Sequence, residues 1–250
     1  MTDEKPFQTS HLASDPNPIL RFVHGRRLRA DLEIVRRHGG PGRRFLDYGC
    51  GDGLIVRGAA DAYECVVGVD THDAALAAAR ERGVPHGGAF GKVDDLDELG
   101  ARFGPFDTVS ILQVLEHVSD EVRETIFSTL RGVSSSDATI IIEAPIESGP
   151  ILLVKNTGAH VLHRVTGKRY KRYRLSPREL LPRLRLRAAP HVRPPRTSPD
   201  GRTAYSHKDF SVWNLKTYLE QHCRIAETRF LPVNALGWLN LQVVFVCTWR

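Results

Sequence analysis

Apolar residues fall along this chain in blocks whose spacing alternates between helical and strand-like. From residue 19 to 38, Ile19, Phe22, Val23, Leu28, Leu32 and Val35 recur at helical spacing among arginines. That spacing predicts an amphipathic, basic helix, which Gly39, Gly40, Pro41 and Gly42 end. An apolar run at 44–48 meets a glycine-rich turn, and a helical pattern follows from Leu54 to Ala62. A second strand is expected at 65–70, then an alanine-rich helix at 73–82 with Asp73 placed to cap it. A third strand is expected near 89–93 and a fourth at 106–112. Ser119 or Asp120 starts a helix that runs to about Val133. The fifth strand, 138–144, is almost purely apolar and β-branched, as a buried parallel strand requires.

The pattern breaks from Glu147 to Tyr205 and returns at Phe210. A helix at 211–222 and strands at 224–231 and 241–249 complete the chain, the last two as an antiparallel hairpin. The expected fold class is α/β: a doubly wound, mostly parallel seven-stranded sheet with helices on both faces. The expected organisation is a mobile tail at 1–18 and a single domain at 19–250, carrying the helix at 19–38 and a basic cap inserted at 147–209 after the fifth strand.

Composition narrows the class. The 250 residues are 41% hydrophobic and 26% charged, ordinary for a globular protein with a sizeable core. No apolar run approaches the length that spans a bilayer, and residues 1–14 lack the layout of a signal peptide. Cys50, Cys65, Cys223 and Cys247 show no metal-like or redox-like spacing, so buried free thiols in a reducing cytoplasm are expected. Charge is uneven. Residues 151–209 hold 15 Lys/Arg against 3 Asp/Glu in a chain whose formal net charge is +6, and a local basic excess implies an anionic neighbour.

The strongest chemical signal is the run from Phe45 to Gly53, in which a strand ends in Asp47 and glycines follow at 49, 51 and 53. Glycines there allow a tight turn and close approach of a ligand to the backbone. Val66-Val67-Gly68-Val69-Asp70 is an apolar strand ending in a carboxylate, suited to accept hydrogen bonds from ribose hydroxyls. The turn is Gly-x-Gly-x-Gly rather than the dinucleotide Gly-x-Gly-x-x-Gly. Asp47 would repel a pyrophosphate but suits a sulfonium ligand with a free amino group. Those features favour S-adenosylmethionine over NAD.

Asp47-x-Gly49-x-Gly51-x-Gly53, the strand ending in Asp70, and Phe106-Asp107-Thr108-Val109 leading to Leu115-Glu116-His117-Val118 resemble the motifs of class I, Rossmann-like S-adenosylmethionine-dependent methyltransferases. The resemblance implies that the glycine loop wraps the methionine part, that Asp70 binds the ribose, and that Gln113 to Leu115 line the methyl end. An acidic residue usually follows the third strand in that family. Lys92 stands there, and Asp94 or Asp95 takes the role instead. The expected cofactor-binding set is therefore Asp47, Gly49, Gly51, Gly53, Asp70, Asp94, Asp95 and Gln113.

Methyl transfer is an in-line displacement that asks the protein mainly to position the acceptor and keep it deprotonated. His117 and His207 are the candidate catalytic residues, each against a bland reading as a turn-bracing or helix-entry residue. Gln113-x-x-Glu116-His117 with the later His207 also resembles the Glu-x-x-Glu-His metal pattern of small-RNA 3′-terminal 2′-O-methyltransferases and ubiquinone-pathway O-methyltransferases. That resemblance makes Glu116, His117 and His207 candidate ligands for a divalent metal; Gln113 in place of the first Glu weighs against it.

The acceptor is less legible. The basic insertion fits a lid over a small, glycan-linked or lipid-linked anionic acceptor, a peripheral membrane contact, or an RNA surface in which Tyr170 and Tyr173 stack bases. The expectation carried forward is O-methylation of an anionic small or glycan- or lipid-linked acceptor. RNA 2′-O-methylation and a catalytically silent binding subunit are the alternatives.

Overall fold

The computed structural model describes residues 18–85, 87–166, 177–184, 195–197, 203–205 and 210–250. Helix α1 (Pro18–Arg37) leads into strand β1 (Gly40–Tyr48), and α2 (Leu54–Ala59) leads into β2 (Tyr63–Asp70). Then follow α3 (Asp73–Glu81), β3 (Ala89–Lys92), α4 (Leu96–Phe103) and β4 (Phe106–Leu112). Helix α5 (Asp120–Val133) returns the chain to β5 (Ser134–Pro145). After it come α6 (Ile151–Thr166), α7 (Pro177–Arg183) and a small hairpin of β6 (Pro195–Thr197) and β7 (Thr203–Tyr205). Helix α8 (Val212–His222), β8 (Cys223–Leu231) and β9 (Gln242–Trp249) finish the fold.

The seven-stranded sheet runs in the order β3-β2-β1-β4-β5-β9-β8. Pairings from β3 through β5 are parallel, and β9 lies antiparallel to both β5 and β8. This is the expected mostly parallel sheet closed by an antiparallel hairpin.

Pleating sends alternate residues to opposite faces. On one face Ile140 and Ile142 of β5 pack with Ile126, Phe127 and Leu130 of α5 and Leu215 and Leu219 of α8. On the other, Phe45, Val66 and Ile141 pack with Ile34 and Val35 of α1, Val56 of α2 and Leu76 of α3. Helices therefore cover both faces, and burying each such side chain contributes about 1.5–3 kcal/mol. Glu143, two residues beyond Ile141, falls on the α1 face.

Several boundaries differ from expectation. Helix α4 was not expected, although Leu96, Leu99 and Phe103 recur at helical spacing and pack toward the core. His72, not Asp73, is the cap position of α3, and Asp73 Oδ1 pairs with Lys92 Nζ at 2.8 Å. Ser119 does cap α5, its Oγ accepting from the Val122 amide at 3.2 Å. The segment after β5, where the sequence pattern breaks and a basic cap is expected, contains α6 and α7. Its Lys/Arg/Tyr tract at 167–176, the stretch at 185–194 and the N-terminal tail to residue 17 lie outside the described residues. All four cysteines are buried and free, as expected. Among the described residues no helix is long and apolar enough to cross a membrane.

Candidate cofactor site

Strand order reverses between β1 and β4, and in such sheets ligands bind at the carboxyl ends of the strands flanking that point. Everything the sequence singled out around the glycines lies there. Gly49, Gly51 and Gly53 have φ of 83, 53 and 70°, values that favour glycine. The loop is also crowded: a Cβ at Gly49 would sit 2.3 Å from Val114 Cγ2, and one at Gly53 would sit 2.5 Å from the Phe90 ring. The amides of Gly49 and Cys50 both donate to the Val69 carbonyl, at 2.8 and 3.0 Å.

Asp70 ends β2 facing this loop. Its Oδ2 accepts from the Gly51 amide at 2.8 Å, and its Oδ1 accepts from the His72 amide at 2.9 Å. Burial pushes its carboxyl up, but the hydrogen bonds from His72 and Gly51 outweigh burial and hold it below the usual carboxylate value. Asp70 is thus a fixed, ionised acceptor with lone pairs left over.

Asp47 is only 3% exposed, and Ser110 Oγ of β4 donates to its Oδ1 at 2.5 Å. Burial raises its carboxyl to about 7, against the Ser110 hydrogen bond and with the nearby Asp70 charge adding to the rise. The sequence reading did not find Ser110. The register that places Ser110 opposite Asp47 shows only once β1 and β4 are paired.

Gln113 closes the crevice on the β4 side. It is the one non-glycine with positive φ (59°) among the described residues, and its amide donates to the Glu143 carbonyl at 3.2 Å. Asp94 and Asp95 sit past β3 on the surface; Asp95 Oδ2 accepts from the Lys92 amide at 3.1 Å.

The next turn, Leu115–His117, splits its two polar residues. Glu116 is fully buried, and burial, with Glu143 and Glu147 adding and a backbone hydrogen bond opposing, raises its carboxyl to about 8. His117 is half-buried, with Nδ1 3.1 Å from the Tyr205 carbonyl of β7. A carbonyl only accepts, so the neutral ring carries its hydrogen on Nδ1 and its lone pair on Nε2. His207 lies outside the described residues. Among the described residues no three His, Cys, Asp or Glu side chains converge as a metal site.

Beside Gln113 lies a polar layer that no pattern in the chain announces. Arg27 Nε of α1 stands 3.8 Å from Asp31 Oδ2 and 3.9 Å from Glu143 Oε1. The Gln242 amide, with its nitrogen toward Glu143 Oε1 (2.9 Å) and its oxygen toward Arg27 Nη1 (3.0 Å), spans the pair from β9. Burial holds the Asp31 carboxyl well above its ordinary value, with Glu143 adding and Arg27 opposing, and Glu143 is raised by burial against Arg27 and Gln113.

Residues 45–136 match the family described as Methyltransferase domain. They span β1 through the start of β5, including the glycine loop, Asp70 and the Glu116-His117 turn. This region is a methyltransferase domain of the class I, Rossmann-like kind.

Curated relatives match stretches of this chain of comparable length. A ubiquinone biosynthesis O-methyltransferase of Hahella chejuensis is 37% identical over 97 residues, 37% of this chain and 40% of that protein. One from Haemophilus ducreyi is 29% identical over 120 residues, 45% of this chain and 51% of that protein. The chain thus spans about two fifths to one half of the length of these relatives. Solved structures share the fold across the chain. A methyltransferase from Anabaena variabilis superposes with a TM-score of 0.59 at 16% identity, covering 99% of this chain and 89% of that one. Magnesium protoporphyrin IX methyltransferase from Synechocystis, with S-adenosylhomocysteine bound, gives 0.56 at 19% identity, covering 96% and 91%.

Proposed function

We propose that this protein transfers a methyl group from S-adenosylmethionine to a hydroxyl oxygen of a small acceptor. The observation that carries the reading is the clasp between Asp70 and the Gly51 amide, set at the topological switch point beside the buried Asp47. It leaves an ionised carboxylate and a backbone loop, shaped by left-handed glycines, facing the same crevice. Asp70 would take the ribose hydroxyls, the loop from Gly49 to Gly53 the methionine part, and Gln113 the methyl end.

S-adenosylmethionine, when bound, supplies an electrophilic methyl on a sulfonium. Transfer to a hydroxyl would ask this chain to hold that oxygen in line with the carbon–sulfur bond and to take up the hydroxyl proton. In this reading His117 accepts it at Nε2; the contact between Nδ1 and the Tyr205 carbonyl, which keeps the hydrogen on Nδ1, supports that role. The relatives' name, O-methyltransferase, supports oxygen as the nucleophile.

Parallel calorimetric titrations with S-adenosylmethionine and NAD test the reading, followed by transfer of labelled methyl to a panel of hydroxyl acceptors. Binding of the first alone, with transfer to oxygen, is the expected result. Binding of neither would leave the fold without this activity.

A further inference from the structure

Between Gly51 and Gly53 the glycine loop carries Asp52, which is fully buried. Gly51 gives its amide to Asp70. Asp52 gives its side chain to Arg82, just past the end of α3, and its Oδ2 forms an ion pair with that guanidinium. From α2, Arg57 Nη2 donates to the Asp52 carbonyl at 2.6 Å, and Arg57 Nη1 donates to the Ala79 carbonyl of α3 at 3.2 Å. The side chain and the main chain of one loop residue are thus held by two arginines, from the helices that precede and follow β2.

The loop needs such a hold. Glycines at 49, 51 and 53 give it wide conformational freedom, and nothing intrinsic to them selects one shape. A buried ion pair is no better for stability than well-packed apolar side chains of similar size, but its charges are satisfied in one arrangement only. Asp52 is bonded directly to Gly51, so fixing the first fixes the amide that Asp70 receives.

We propose that Asp52 is a positioning residue for the cofactor: gripped by Arg82 at its carboxylate and by Arg57 at its carbonyl, it holds the glycine loop in the shape that receives the methionine part. The proposal rests on the methyltransferase reading above. Asp52 acts through the loop rather than on the reacting atoms, so its effect falls on how tightly the cofactor is held. Arg57 and Arg82 also line an open surface cavity of about 520 Å³, and either can be replaced without opening a hole in the core.

The test needs no acceptor. S-adenosylmethionine is titrated calorimetrically into the full chain and four variants. Arg82→Gln should weaken binding by about tenfold, through loss of a charged hydrogen bond to the loop. Arg82→Lys keeps a cation for the one Asp52 oxygen and should return affinity to within about threefold of wild type. Arg57→Gln should weaken binding by about threefold to fivefold; it strands no buried carboxyl, so the proposal stays testable where Arg82→Gln does not fold. Arg36→Gln is the control. It cuts α1 from the Gly58 carbonyl and Asp61 without touching the loop, and affinity should stay within about twofold. Unchanged affinity in Arg57→Gln and Arg82→Gln, no recovery with lysine, or an equal loss in Arg36→Gln would overturn the proposal. Failure of the wild type to bind would instead sink the methyltransferase reading itself.

Discussion

The amide of Gly51, in the loop after β1, donates to Asp70 Oδ2, at the end of β2, over 2.8 Å. One carboxylate thereby shapes the loop and offers itself to a ligand. Asp70→Ala should weaken S-adenosylmethionine binding by about 1–3 kcal/mol, through lost ribose bonds and a relaxed loop. Calorimetry measures it; unchanged affinity would remove Asp70 from the site.

Gly49 tests how tightly the loop is built. Its φ of 83° and the 2.3 Å approach to Val114 leave no room for a methyl group, and the Gly49→Ala variant should lose about 1–3 kcal/mol of stability in urea. Gly25 in α1 has nothing within 4 Å of a Cβ position. There the same substitution should gain about 0.5–1 kcal/mol. Equal effects at the two sites would show that helix propensity and unfolded-chain entropy, not crowding, dominate.

The buried carboxyls give stability an unusual pH dependence. Asp47 is raised to about 7 and Glu116 to about 8, so the folded chain keeps protons that the unfolded chain releases near pH 4. Between about pH 4 and pH 7 the ligand-free protein should therefore lose stability as pH rises, by up to about 1.4 kcal/mol per pH unit per group. Asp70 acts with the opposite sign, but because its carboxyl is lowered its contribution disappears only as pH falls below about 4. Denaturation at pH 5 and pH 7.5 decides the matter: a more stable protein at pH 7.5 would mean that these acids are ionised and paired.

His117→Ala should reduce turnover by about 10²–10⁴-fold if Nε2 takes the acceptor proton, while S-adenosylmethionine affinity stays within about twofold of wild type. A pH–rate profile should lose its low-pH limb in the same variant. A turnover equal to wild type would leave His117 as a brace for the β6–β7 hairpin.

Regular elements and local motifs were readable from residue order. Strand β4 matches its expected bounds of 106–112, because its apolar run starts after Pro105 and ends at Gln113. The glycine loop and Asp70 declared themselves because their chemistry is local. Helix α6 did not, although Gly149, at φ 86°, and Pro150 directly before Ile151 form a helix-start signal that the surrounding loss of pattern hid. Nothing in residue order singles out Asp31, a polar position on an amphipathic helix, or Glu143, a lone charge in an apolar strand. Their meeting around Arg27 depends on α1 docking over β5, which no local pattern encodes.

The same meeting has a consequence for how the chain matures. Arg27 lies on the first helix of the fold and Gln242 on its last strand, and the Gln242 amide spans Arg27 and Glu143. In a chain still emerging from the ribosome, β1 to β5 and the glycine loop are made well before β9. The wall beside Gln113 must wait until residue 242 is free to pair with Pro145. The wall beside Gln113 is thus the last part of this region to close, because it joins the helix that opens the described fold to the strand that ends it.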